Sequence, residues 1–229
     1  MFAIVDKRSP EKSIQNLSKY VSDIFLFETF NTTYNSISGH PDIFIYQQNN
    51  TLIIAPNSPK EFINFLNSKN IKFEFGKSFI GNDLENCSNY NCVSSEKYFF
   101  HNLKFTDEKI LELNKNKIQI NLNQAYTACS LLVLPDNTFV TSDKGIFKVL
   151  ENNNLNVSYF SPEKIKIFDH KNGFFGGTCG FVEKKLFFNG NVDLHENGKI
   201  IRNLTEKLEI EIVNLNDVYL YDGGKIFFV

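Results

Sequence analysis

The chain has 229 residues, 42% of them hydrophobic and 22% charged, which are values of a folded globular protein and not of a disordered or fibrous one. Its formal net charge of −2 at pH 7 supplies no electrostatic pull toward nucleic acid or an anionic membrane, so neither is expected as a partner. No run approaches ~18 apolar residues, and the start Met1-Phe2-Ala3-Ile4-Val5-Asp6-Lys7-Arg8 lacks a basic segment followed by a long apolar core; a cytoplasmic protein is expected.

Along the chain, one unit recurs five times: an apolar strand, a second strand ending in a polar residue, a short helix and a further strand. Phe2-Ala3-Ile4-Val5, the helix start Ser9-Pro10-Glu11 and the strand Ile24-Phe25-Leu26-Phe27 make most of one unit. The next opens at Asp42 with Ile43-Phe44-Ile45-Tyr46, continues through Thr51-Leu52-Ile53-Ile54 and Ser58-Pro59-Lys60-Glu61, and closes on Ile71 to Phe75. Ser58 with Glu61 has the spacing of a capping box. A third unit opens at Cys92-Val93, passes Tyr98-Phe99-Phe100-His101 and Thr106-Asp107-Glu108, and closes on Ile118-Gln119-Ile120. A fourth runs from Cys129 to Leu134 through Thr138-Phe139-Val140-Thr141 and Ser142-Asp143-Lys144-Gly145 to Val157-Ser158-Tyr159-Phe160. The fifth opens at Cys179-Gly180-Phe181-Val182, passes Leu186-Phe187-Phe188-Asn189 and closes on Ile210 to Val213.

The chain then ends on Ile226-Phe227-Phe228-Val229, the opening strand that the N-terminal unit lacks. A unit split between the two ends implies a closed ring, because no repeat buries its apolar face without both neighbours. A single domain spanning 1–229 is therefore expected. Long polar interruptions at Gly76–Tyr90 and Ser161–Gly173 are expected to border a site.

Five ββαβ units closed around an axis resemble the pentein fold, a five-bladed α/β propeller of the guanidino-group-modifying enzymes: arginine and agmatine deiminases, dimethylarginine dimethylaminohydrolase and amidinotransferases. Within it the sequence is most similar to a bacterial family of unknown function, through Gly39-His40-Pro41-Asp42-Ile43, Thr141 to Ile146, Phe175-Gly176-Gly177 with Cys179-Gly180, and Tyr221-Asp222-Gly223-Gly224. The resemblance implies cysteine-dependent attack on a C–N bond of a small cationic guanidino or amidine compound, or of an amide. It implies no cofactor. The superfamily's enzymes carry the nucleophile a few residues beyond a C-terminal Gly-Gly, where this chain has Lys225-Ile226-Phe227-Phe228-Val229. The His-x-Asp pattern is kept as His40-Pro41-Asp42.

With that nucleophile absent, the register of the units supplies candidates. Asp42, Cys92, Cys129, Cys179 and Asp222 stand at or before the opening strands, spaced by 50, 37, 50 and 43 residues, and equivalent positions in a ring converge on its axis. Cys179 is preferred as nucleophile because Gly176, Gly177 and Gly180 permit close approach of a ligand; Cys129 follows. The alternative for both is the role of small buried apolar residues. His40 is the candidate base and Asp42 its orienter or a guanidinium ligand. Asp222, Asp143, Asp193, His195, Asn189 and Cys92 complete the candidate ligand-binding set, with a helix cap the competing role for Asp143 and a solvated turn for His195. Cys87 and Cys92 match no common metal spacing, and no metal is expected. The competing function is a non-catalytic pentein that binds a small cation or presents a face to a protein, as the ribosome-associated initiation-factor members do. Oligomeric state leaves no signal in the pattern.

Overall fold

The computed structural model describes residues 1–229. In chain order its regular elements are β1 (Ala3–Asp6), α1 (Glu11–Leu17), β2 (Ile24–Phe27), β3 (Ile45–Gln48), β4 (Thr51–Ile54), α2 (Lys60–Ser68) and β5 (Glu74–Phe75). They continue with β6 (Val93–Ser94), β7 (Tyr98–His101), α3 (Glu108–Leu113), β8 (Ile118–Asn121), α4 (Thr127–Ser130), β9 (Leu131–Leu134), β10 (Thr138–Thr141), α5 (Lys144–Asn152) and β11 (Asn156–Tyr159). The last are β12 (Cys179–Val182), β13 (Lys185–Phe188), α6 (Gly198–Lys207), β14 (Glu211–Asn214) and β15 (Phe227–Phe228).

These strands form five three-stranded sheets: β3-β4-β5, β6-β7-β8, β9-β10-β11, β12-β13-β14 and β15-β1-β2. In every sheet the middle strand runs antiparallel to the opening strand and parallel to the closing one. The antiparallel step needs only a tight turn. Between β12 and β13 that turn is Glu183-Lys184, both in the left-handed region. The parallel step needs a crossover, and each crossover carries one of α1, α2, α3, α5 or α6. Their inward faces are apolar: Phe62 and Leu66 on α2, Ile146 and Leu150 on α5, and Ile201 on α6 are buried.

The split unit is real at the level of pairing. Ala3 lies opposite Phe228 and Ile4 opposite Phe227, and Phe2 and Val229 exchange both backbone hydrogen bonds, at 2.7 and 2.9 Å.

Four apolar clusters lie between sheets. Ile4 and Phe27 pack with Ile45, Ile53 and Phe99; Phe100 packs with Leu131 and Phe139; Val140 packs with Cys179 and Phe188; and Phe187 and Val213 pack with Ala3 and Val5. Each sheet thereby shares buried side chains with at least two others. No helix is long and apolar enough to cross a membrane.

Several local expectations change. Ser58 and Glu61 make no capping box: the Ser58 hydroxyl donates to Ala55 O, and Pro59 precedes α2 without a side-chain cap. Asp107 and Asp143 are the true caps, accepting from Lys109 N and Ile146 N. The Gly76–Tyr90 loop is fastened down, and the residue that follows it, Asn91, donates to Cys129 Sγ and Asp42 O. Buried Asp107 also accepts from Lys77 N at 2.7 Å and Ser78 N at 2.6 Å, and the Asn57 amide bonds Ile80 N and O. The Ser161–Gly173 loop does lie beside the polar centre, joined to it by Asp222 N donating to Lys166 O at 2.7 Å.

Candidate functional site

A buried polar cluster gathers at the ends of the opening strands. His40 precedes a 3-10 turn, Pro41–Ile43, that leads toward β3, and Pro41 at its first position needs no backbone donor there. The turn carries Asp42 inward, and Asp42 N donates to Gly224 O at 3.3 Å. Cys129 lies on the single turn of α4, immediately before β9. Asn91 pins that turn: its Oδ1 accepts from Ala128 N at 2.7 Å and Cys129 N at 3.3 Å, while its Nδ2 donates to Cys129 Sγ and Asp42 O.

The consequence is a direct thiol–carboxylate contact, with Cys129 Sγ donating to Asp42 Oδ2 at 2.9 Å. One potential donor atom each from His40, Asp42 and Cys129 lies within 4.8 Å of the other two. All three residues are at most 3% exposed. Asp42 Oδ1 and both ring nitrogens of His40 have no hydrogen-bond partner, although buried polar atoms are nearly always satisfied.

Two more carboxylates surround them. Asp222 accepts from Phe174 N at 2.8 Å and Gly224 N at 3.1 Å. Asp6, at the end of β1, stands 3.8 Å from His40 Nε2, too far for a hydrogen bond, and is held by the forked guanidinium of Arg8 at 2.7 and 3.0 Å. Burial pushes Asp42 and Asp222 up to about 6, opposed chiefly by the Cys129 hydrogen bond and by His40, respectively. Burial lowers His40 against the pull of Asp222 and Asp6. The Cys129 thiol is raised by burial and by the charges of Asp42 and Asp222.

The other proposed site residues lie elsewhere. Cys179, the preferred nucleophile, belongs to an apolar cluster with Leu132 and Phe188; its thiol meets only Phe175 O and Gly176 O, and burial drives it to about 12. Cys92 points its thiol at Tyr90 O. Both help line a cavity of about 970 Å³ between the opening strands, into which Lys225 also projects. Asp143 caps α5 and accepts from Gln124. Asp193 is paired with Arg202 at the surface. His195 stacks on Phe160 and bonds Glu163 O and Asn197 N. Asn189 donates to Ser9 Oγ, with its own Oδ1 unpartnered.

The glycines near Cys179 are packed against other parts of the protein. A Cβ on Gly176 would stand 2.5 Å from Ala128 O, one on Gly180 would overlap Ile226 O, and one on Gly177 would overlap Asp222 Oδ1. They admit the protein's own backbone and Asp222. Asp6, Arg8 and Asn91 were not anticipated. Asp6 carried the one available signal, a carboxylate closing the apolar run Phe2–Val5.

A family model spanning residues 4–227 matches the chain. The protein belongs to this family of unknown function (DUF6873). No curated protein matches the sequence. Among solved structures, the agmatine deiminase of C. jejuni superposes with a TM-score of 0.59 at 11% identity, covering 94% of this chain and 87% of that one. DDAH from Pseudomonas aeruginosa, complexed with citrulline, gives 0.51 at 11% identity over 97% and 92% of the two chains. A dimethylarginine dimethylaminohydrolase adduct with 4-chloro-2-hydroxymethylpyridine gives 0.52 at 12% identity, over 94% and 92%. The chain thus shares the pentein fold of these enzymes at low sequence identity.

Proposed function

We propose that the protein is a thiol-dependent hydrolase or transferase acting on a C–N bond of a small guanidino, amidine or amide compound, with Cys129 as nucleophile. The observation that carries this reading is the contact between Cys129 Sγ and Asp42 Oδ2, at 2.9 Å and beside His40. The contact is a path for the thiol proton. Asp42 takes that proton as sulfur attacks the central carbon, and the proton returns by way of the adjacent His40 to the departing nitrogen. Before the proton moves, Asp42 and Asp222 both offer carboxylates to the guanidinium N–H groups, and Asp222 keeps that role once Asp42 holds the thiol proton, in a dry setting where such pairs are strong. Water then cleaves the S–C bond and restores the thiol. The solved structures of similar fold include enzymes named for guanidino substrates, one of them holding citrulline.

The same reading includes one domain over 1–229, built as a closed five-bladed α/β propeller. Its support is the pairing of β1 with β15 and the sharing of apolar clusters by every sheet with at least two others. Four unpaired cysteines suit a reducing compartment such as the cytoplasm.

One observation favours a non-catalytic cation binder: Gly223-Gly224 is followed by Lys225-Ile226-Phe227-Phe228-Val229, with no cysteine. Two measurements decide between them. Release of ammonia or amine from a guanidino and amidine panel should be abolished by Cys129→Ser, with binding retained, and unaffected by Cys179→Ser. Slow alkylation of all four thiols at neutral pH, with no turnover, would leave the binder; Asp42→Asn should weaken ligand binding in either case.

A further inference from the structure

We propose that His40, Asp42 and Cys129 bind a divalent transition-metal ion, Zn²⁺ first among them, with a fourth coordination position left open for water or a ligand. This goes beyond the thiol-enzyme reading while sharing its residues. Cys129 cannot hold an ion and attack carbon at once, so loaded and metal-free protein are two distinct states.

Three features of the cluster converge. One thiol, one imidazole and one carboxylate present donor atoms within 4.8 Å of one another. A four-coordinate zinc with bonds of roughly 2.0–2.3 Å sets its ligand atoms about 3.3–3.8 Å apart, so small shifts of side chains suffice. Next, the donors are free: His40 Nδ1 and Nε2 and Asp42 Oδ1 are buried without any hydrogen-bond partner. An ion takes one ring nitrogen of His40 and Asp42 Oδ1 at once and leaves the other ring nitrogen to a neighbouring group. Third, sulfur, nitrogen and oxygen in one set suit zinc and its neighbours, not magnesium or calcium, which prefer oxygen alone.

The surroundings fit an ion as well. The donors sit on two short turns held rigidly, one started by Pro41 and one clamped by Asn91, whose Nδ2 also donates to Cys129 Sγ. Asp6 Oδ2 stands 3.8 Å from His40 Nε2, so a small turn of the ring would bring the two within hydrogen-bond distance. On binding, the S–H···O hydrogen bond to Asp42 breaks, the thiol proton leaves to solvent, and a metal–thiolate bond replaces it. A thiolate, a carboxylate and a divalent cation leave the buried triad neutral.

Titration of metal-free, full-length protein with Co²⁺ tests this. Stoichiometric growth of a thiolate-to-cobalt charge-transfer band in the near ultraviolet, with tetrahedral bands in the visible and displacement by Zn²⁺, is expected. Cys129→Ser should abolish the charge-transfer band, and Cys179→Ser should leave it unchanged. Asn91→Ala should weaken Co²⁺ binding ~10-fold or more. Wild-type protein giving no charge-transfer band with Co²⁺, or folded Cys129→Ser giving the same band as wild type, would overturn the assignment. The readout needs no substrate. Failure here leaves the amine-release assay on metal-free protein to decide catalysis, and failure there leaves the cobalt spectrum standing.

Discussion

Gly177 lies directly against the side chain of Asp222, so closely that a Cβ on Gly177 would overlap Asp222 Oδ1 and stand 2.7 Å from its Cγ. Gly177 O also accepts from Gly223 N and Lys225 N, so neither side is free to retreat. Gly177→Ala is expected to destabilise the protein by ~1–3 kcal/mol, the usual range for overpacking a tight interior. It should also displace Asp222 from Phe174 N and weaken any ligand of the polar cluster. Urea unfolding and a ligand titration on the same variant measure the two effects; a variant as stable as wild type would show that the contact yields.

Asp107 anchors two separate segments through one buried carboxylate, capping α3 while accepting from Lys77 N and Ser78 N. Asp107→Ala leaves those three N–H groups short of an acceptor. The expected loss is roughly 2–5 kcal/mol, from the lost cap together with unsatisfied buried donors. Amide exchange should rise selectively over Gly76–Tyr90, which hydrogen-exchange mass spectrometry resolves.

His101 gives a pH dependence with a definite sign. It is buried between Thr106 Oγ1 and Ala125 O, and burial lowers it to about 4 from an ordinary 6.5. The unfolded chain therefore takes up the proton first, so the contribution is complete above pH 6.5 and is lost as pH falls toward 4. The full span is roughly 3 kcal/mol. The stability difference between wild type and His101→Gln should narrow between pH 7.5 and pH 4.5; a difference independent of pH would contradict this.

Removal of Lys225 to Val229 takes away β15, and with it the antiparallel partner of β1 and the Phe227 and Phe228 side chains of two apolar clusters. Cooperative unfolding should be lost. A truncated chain that melts as wild type does would sink the closed-ring reading.

The alternation of short strands and helices was legible because every middle strand is a run of apolar residues between polar ends. Thr51–Ile54, Tyr98–His101 and Thr138–Thr141 stand where the pattern puts them. The site was only half legible. Asp42 and Cys129 do converge with Asp222, but from turns and not from strand ends: Pro41 favours a helical turn, and the clamp on Cys129 comes from Asn91, 38 residues away. A hydrogen bond between distant units leaves no period in a sequence. Cys179 stands apart from the polar cluster, with Ile226 and the backbone of α4 packed against the glycines on either side of it. Asp6 and Arg8 escaped notice because the residue they flank, His40, belongs to a different unit.

The reciprocal pair between Phe2 and Val229 has a mechanical meaning. Both ends of the chain leave the structure from the same edge of one antiparallel ladder, so a pulling force applied through them opens the ladder as a zipper, rung by rung, and never loads several rungs in shear. Tension between Phe2 and Val229 therefore meets one pair of hydrogen bonds at a time.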